Sequence, residues 1–170
     1  MLVMEVIDSS TLYKDQIFFL NDSSWRMLET IDSRLAVMVQ HAIGMSDIEF
    51  QVIEGRRTTK MHNLLYSKGA TQDGVHSSHF YGMAVDLLVI LEGKPILEIE
   101  PYRDVAQCMQ YAAEHIGVPI MWGGAPHIED LRGTKDFYED LTNSFIDICR
   151  NDDPPRTPTL NPHHFEIPVE

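Results

Sequence analysis

Ser77-Ser78-His79-Phe80-Tyr81-Gly82-Met83-Ala84-Val85-Asp86 runs directly into Leu87-Leu88-Val89-Ile90. A polar loop with a histidine and a glycine enters a run rich in Val, Leu and Ile, so Tyr81 to Ile90 predicts a buried strand. Asp86 lies inside that run, where a carboxylate is costly unless it is paired or bound to a metal. His79 precedes it by seven residues, and a turn at Gly82 brings the two side chains together. Imidazole nitrogen and carboxylate oxygen both suit Zn²⁺. A plainer reading has Asp86 capping a turn or pairing with Arg57, with His79 at the surface. Spacing alone does not separate the two.

A second histidine cluster shifts the balance. Pro162-His163-His164-Phe165-Glu166-Ile167 enters another apolar segment at the far end of the chain. A catalytic zinc site takes three protein ligands and leaves a position open for water. His79, Asp86 and His164 supply such a set.

Outward from these motifs, the chain mixes helices and strands without regular alternation. Ser23 or Ser24 is a candidate N-cap for a helix carrying Leu28, Ile31, Leu35 and Met38 at helical spacing. Asp47 to Ile53 alternates as a half-buried strand ended by Gly55. A short helix follows from Thr58 to Gly69, then a polar loop from Ala70 to Ser78. Glu92-Gly93-Lys94 reads as a turn and Tyr102 to His115 as a helix closed by Gly117. Val118 to Trp122 reads as a strand with a Gly123-Gly124 turn, and Asp136 to Arg150 as a helix. A proline-rich loop over Asn151 to Asn161 leads to a closing strand, His164 to Ile167. This predicts one α+β domain over residues 1–170, a small antiparallel sheet carrying the zinc site and flanked by helices.

Composition narrows the partners. A formal net charge of −13 excludes the basic footprint of non-specific nucleic-acid binding and disfavours an anionic membrane surface. Two cysteines, Cys108 and Cys149, make no disulfide framework and read as small core residues. The N-terminal MLVMEVIDSS lacks the basic region and apolar run of a signal peptide, and no run approaches a membrane span. The chain is therefore expected to be made in the cytoplasm and to act as a monomer.

Ser77, His79, Gly82, Ala84 and Asp86 stand in the order Ser-x-His-x-x-Gly-x-Ala-x-Asp, and His164-Phe165-Glu166 follows near the C-terminus. Together they resemble the zinc peptidases grouped with D-alanyl-D-alanine carboxypeptidases and dipeptidases and with phage L-alanyl-D-glutamate endopeptidases. Gly55-Arg56-Arg57-Thr58, Lys68-Gly69-Ala70 and Met121-Trp122-Gly123-Gly124 resemble further segments of that family in order and spacing. The likeness runs from about Ser24 to Ile167, and the layout is closest to the phage endolysin branch.

The resemblance implies that His79, Asp86 and His164 bind zinc. His164 is preferred over its neighbour His163 because Phe-Glu follows it, and adjacent strand residues face opposite ways. Arg57 would hold the substrate carbonyl or its oxyanion, Ser77 would orient the loop, and Glu166 would orient a ligand. Tyr81, Trp122 and His163 are candidate peptide-groove residues. The implied substrate is the stem peptide of peptidoglycan, reached from the cytoplasm through a separately made pore.

One position departs from the pattern. The family places its general base, Asp or Glu, three residues before the last histidine, where this chain has Asn161. An amide keeps the shape of the acid but cannot accept a proton at neutral pH. His163, Asp152, Asp153 and Glu166 are the alternative bases. A zinc-containing module that binds cell-wall peptide without cutting it is the competing function, and a D-Ala-D-Ala carboxypeptidase or dipeptidase is a third. His76 and His127 read as exposed loop histidines, and His62 and His115 as structural helix residues.

Overall fold

Strand β2 (Ala84–Leu91) is the spine of the sheet. Val85, Leu87 and Val89 are fully buried on one face, while Asp86, Leu88 and Ile90 are half-buried on the other. The segment expected to be buried throughout is thus two-faced, with period-2 alternation hidden by apolar residues on both sides. Strand β1 (Glu49–Glu54) pairs antiparallel along one edge of β2. The other edge is shared by β3 (Lys94–Ile96) and β5 (His164–Glu166), and β5 in turn pairs with β4 (Met121–Trp122). All pairings are antiparallel, in the order β1-β2-β5-β4 with β3 beside β2. The computed structural model describes residues 13–69 and 77–168.

Helix α1 (Asp22–Leu28) is capped by Asn21, two residues before the first of the expected serines, its side chain accepting from Ser24 N at 2.8 Å. Ser24 serves the sheet instead: its hydroxyl donates to Gln51 Oε1 and accepts from Val52 N, tying α1 to β1. The single helix expected through Met38 is two. The Asp32 amide leaves the helical ladder to bond the Gly82 carbonyl at 2.8 Å, and the Asp32 side chain then caps α2 (Ser33–Met45). Thr30, Asp32 and Ser33 favour such breaks because their side chains compete for nearby backbone groups.

Helix α3 (Thr59–Ser67) begins at the expected Thr58 cap. Glu92 and Gly93 both have positive φ, 52° and 75°, and link β2 to β3 through a two-residue hairpin turn. The turn was legible in the sequence, whereas β3 was not, being three residues long with Pro95 in its middle. Helix α4 (Glu100–Ile116) closes at Gly117 as expected, and α5 (Tyr138–Asn151) precedes the proline-rich loop. Of the strand expected over Val118 to Trp122, only the last two residues pair.

The core lies on the Val85–Leu87–Val89 face. It takes Leu35, Met38 and Val39 from α2, Tyr102, Val105 and Met109 from α4, and Phe50, Trp122 and Phe165 from the sheet. Each large apolar side chain so buried stabilises the fold by about 1.5–3 kcal/mol. Helix α2 packs on α4, α4 on α5, and α1 on β1. The architecture is a single α+β domain whose helices leave the Asp86 face of the sheet open for chemistry. Cys149 is buried, Cys108 half-buried, and both are free thiols. No helix among the described residues is long and apolar enough to cross a membrane.

Candidate active site

The sheet register builds the site. Asp86 of β2 lies directly opposite His164 of β5 on one side and Glu54 of β1 on the other. A bulge at Ile53 shifts the β1 register so that Glu54 lands in this row. His79 arrives from the preceding turn. Gly82, at φ +72°, reverses the chain there, a left-handed conformation that side chains rarely adopt, and its amide donates to the His79 carbonyl at 3.2 Å.

Three atoms converge. His79 Nε2 and Asp86 Oδ1 are 3.1 Å apart, His164 Nδ1 and Asp86 Oδ1 2.9 Å, and His79 Nε2 and His164 Nδ1 3.2 Å. The opposite ring nitrogens fix what these atoms offer. His79 Nδ1 lies 2.9 Å from the Gly55 carbonyl, which can only accept, so the proton belongs on Nδ1 and the lone pair on Nε2. His164 Nε2 lies 2.9 Å from Glu166 Oε2, which likewise leaves the lone pair on Nδ1. Two lone pairs and a carboxylate oxygen therefore face one another, an arrangement that requires a cation or a proton between them. The separations approach the roughly 3.3 Å expected between ligands on a tetrahedral metal with bonds of about 2.0–2.1 Å. The cluster can hold a metal ion.

With a proton in that place, the charges respond accordingly. Burial alone would raise the Asp86 pKa, but hydrogen bonds from His164 and His79 hold it well below the usual carboxylate range. Burial would lower that of His164, yet its bonds to Asp86 and Glu166 raise it to about 9. Glu166 is likewise held low against burial by His164 and by the hydroxyl of Ser78. A metal must displace the His164 proton from Nδ1, and that proton is lost as pH rises through about 9. Metal affinity is thus expected to rise about tenfold per pH unit from about pH 6.5 towards 9. Competition with a chelator across that range measures it, and a flat profile would refute the proton at His164.

Among the other expected residues, Arg57 is well placed. Its Nε donates to Glu54 Oε1 at 2.6 Å, its amide bonds the His79 carbonyl, and it lines a cleft of about 660 Å³ that Asp86 also borders. Its pKa is raised, first by the bond to Glu54 and further by the charges of Glu54 and Asp86. Ser77 is buried and its carbonyl accepts from Phe80 N, which shapes the turn holding His79. Its neighbour Ser78, which the sequence did not single out, helps hold the Glu166 carboxyl low. Tyr81 is half exposed beside the same turn, with its ring edge-on to Phe80.

Other residues are not brought to the triad. His163 faces the core side of β5, where Nδ1 lies 2.8 Å from the Tyr102 hydroxyl. Trp122 is 1% exposed, and its indole N–H donates to the Pro162 carbonyl, so it packs beneath the site and does not face the cleft. Asp152 is paired with Arg156, and Asp153 is exposed in the proline-rich loop. Glu166 holds the far nitrogen of His164, away from the converging atoms.

Asn161 borders the site through its backbone: its carbonyl accepts from His164 N, and its amide donates to the Gly123 carbonyl. Its side chain is exposed. A Cβ on Gly123 would lie 2.1 Å from the Asn161 carbonyl oxygen, so only glycine lets this turn pass so close. His127 was expected to be exposed; its ring stacks on Phe145 instead, with Nδ1 buried. His115 is exposed at the end of α4, its ring 5.2 Å from that of His41. His76 and the side chain of His62 lie outside the described residues.

Comparison with known proteins identifies the family. A family model for phage L-alanyl-D-glutamate peptidase matches residues 16–148, a span that contains His79 and Asp86 and ends before His164. The L-alanyl-D-glutamate peptidase of Escherichia phage T5 is 25% identical over 128 residues, covering 70% of this chain and 93% of that protein. The crystal structure of the Serratia marcescens L-Ala D-Glu endopeptidase ChiX shares the fold with a TM-score of 0.65 at 21% identity, covering 91% of this chain and 92% of that one. With the matched family model spanning most of its length, the chain belongs to the phage L-alanyl-D-glutamate peptidase family.

Proposed function

We propose that this protein is a zinc endopeptidase that cuts the L-alanyl-D-glutamate bond in peptidoglycan stem peptides during phage lysis. The observation that carries this reading is the convergence of His79 Nε2, Asp86 Oδ1 and His164 Nδ1, with both histidine tautomers fixed from behind by Gly55 and Glu166. Two neutral nitrogens and one carboxylate suit Zn²⁺ and leave a position open. Bound zinc would supply a water of lowered pKa and a Lewis acid for the scissile carbonyl.

The chain's own residues do the rest. Gly55 and Glu166 hold a proton on the outer nitrogen of each imidazole and orient the rings, so that neither ligand rotates away. Glu54 clamps Arg57 at the cleft wall, where its guanidinium can stabilise negative charge developing on the carbonyl oxygen. Asn161, in the place of the family's acid, can orient a water or the substrate amide but cannot take a proton. His163, Asp152 and Glu166 have their side chains engaged elsewhere, which leaves the exposed Asp153 of the proline-rich loop as the remaining alternative base. The chain with Asn161 is therefore a slow peptidase.

That same asparagine favours a second reading, a zinc-containing module that binds wall peptide without cutting it. Incubation of the zinc-loaded protein with purified peptidoglycan separates them. The peptidase reading expects slow release of peptides with new D-glutamyl amino termini, identified by mass and end-group analysis. Stable binding with no new termini, even on prolonged incubation, would favour the module.

A further inference from the structure

The cleft beside Asp86 is lined by three arginines, Arg26, Arg56 and Arg57, in a chain with only 13 lysines and arginines and a net charge of −13. Two acids border the same cleft. Glu54 is matched to Arg57 at 2.6 Å, and Asp86 is turned to the two histidines. The excess positive charge therefore resides on Arg26 and Arg56.

Their placement is built into the fold. A Cβ on Gly55 would lie 2.7 Å from the Met27 carbonyl, so the end of β1 and the last turn of α1 approach as only glycine permits. With that approach, Arg26 and Arg56 both line the cleft. Arg56 Nε donates to the Phe80 carbonyl at 3.1 Å, which fixes its guanidinium next to the residue following His79. A second cavity of about 360 Å³, lined by Thr30, Arg56, Arg57 and Phe80, continues the surface on the other side. Met27, Met61 and Leu65 give the cleft an apolar floor, which weakens solvent screening of the charges above it.

A glutamyl residue carries two carboxyl groups, and only one can join the onward chain. The other stays as a carboxylate close to the scissile amide. An acidic protein repels such a substrate at long range, so recognition has to be local. Guanidinium groups suit it because their planar fork bonds both carboxylate oxygens.

We propose that Arg26 and Arg56 form the subsite that reads the free carboxylate of the glutamyl residue and makes the protein select an acidic peptide over its amide. This rests on the peptidase reading above, and it predicts binding as well as turnover. The test uses the zinc-loaded chain and two synthetic stem peptides, one with the free glutamyl carboxylate and one with the carboxamide in its place. Binding is measured on the chain itself, and turnover in the Asn161→Asp background.

The acid is expected to bind and react about 10- to 100-fold better than the amide. Arg26→Gln and Arg56→Gln should each move that ratio towards one, and Arg56→Lys should fall between. Retained zinc checks that each variant is folded. If acid and amide bind equally, if neither binds, or if the preference survives both glutamine variants, the subsite is overturned. If the acid is preferred and the variants abolish that preference, yet no background cuts either peptide, the subsite stands and the peptidase reading falls.

Discussion

Asn161→Asp is expected to raise the rate of peptide cleavage roughly 100- to 10,000-fold, the range contributed by a positioned general base. The argument is geometric. Asn161 precedes His164 by three residues, its carbonyl is tied to the His164 amide, and its backbone is pressed against Gly123. An aspartate there keeps the backbone and the side-chain shape while adding an oxygen that takes a proton. The side chain is exposed, so the added charge carries no large burial cost. Steady-state kinetics on a stem peptide, native against variant, reads the effect, with kcat moving more than KM. Equal rates would mean that the base lies elsewhere in the chain.

Asp86→Asn is expected to abolish activity and to weaken metal binding by more than the roughly 10- to 100-fold that loss of a supporting partner costs. The amide preserves the volume and the strand, so β2 should stay paired with β5. It removes the only negative charge among the three converging atoms and presents a neutral oxygen or a donor N–H to the two imidazoles. Calorimetric zinc titration of the metal-free proteins measures the loss. Unchanged affinity would show that the two histidines bind the metal without Asp86.

Much of this site was legible in the chain because the chemistry is local. A charge inside Ala84 to Ile90 needed a partner, and the spacing to His79 across Gly82 supplied one. Adjacent residues on a strand face opposite ways, which separates His164 from His163, and the pairing of β2 with β5 puts each where that rule expects. The rest depends on contacts between distant segments. Thr30, Asp32 and Ser33 permit a helix break near Ile31, but what makes it is the Gly82 carbonyl fifty residues on. Ser78 and Ser77 are indistinguishable until Glu166 is brought alongside. Trp122 reads equally as groove or core, and only the tertiary packing beneath β5 decides for the core. The cleft arginines were similarly hidden, since Arg26 and Arg56 come to line one cleft only in the folded chain.

The central claim is that His79, Asp86 and His164 form a metal centre. The most direct measurement is the zinc content of the chelator-stripped and reconstituted protein, read together with its zinc X-ray absorption spectrum, for the native chain and for Asp86→Asn. The account predicts one zinc per native chain, with nitrogen and oxygen ligands at about 2.0–2.1 Å and no sulfur, and loss of that zinc from the variant. A native chain that retains no zinc, or a variant that holds it in the same environment, would contradict the account.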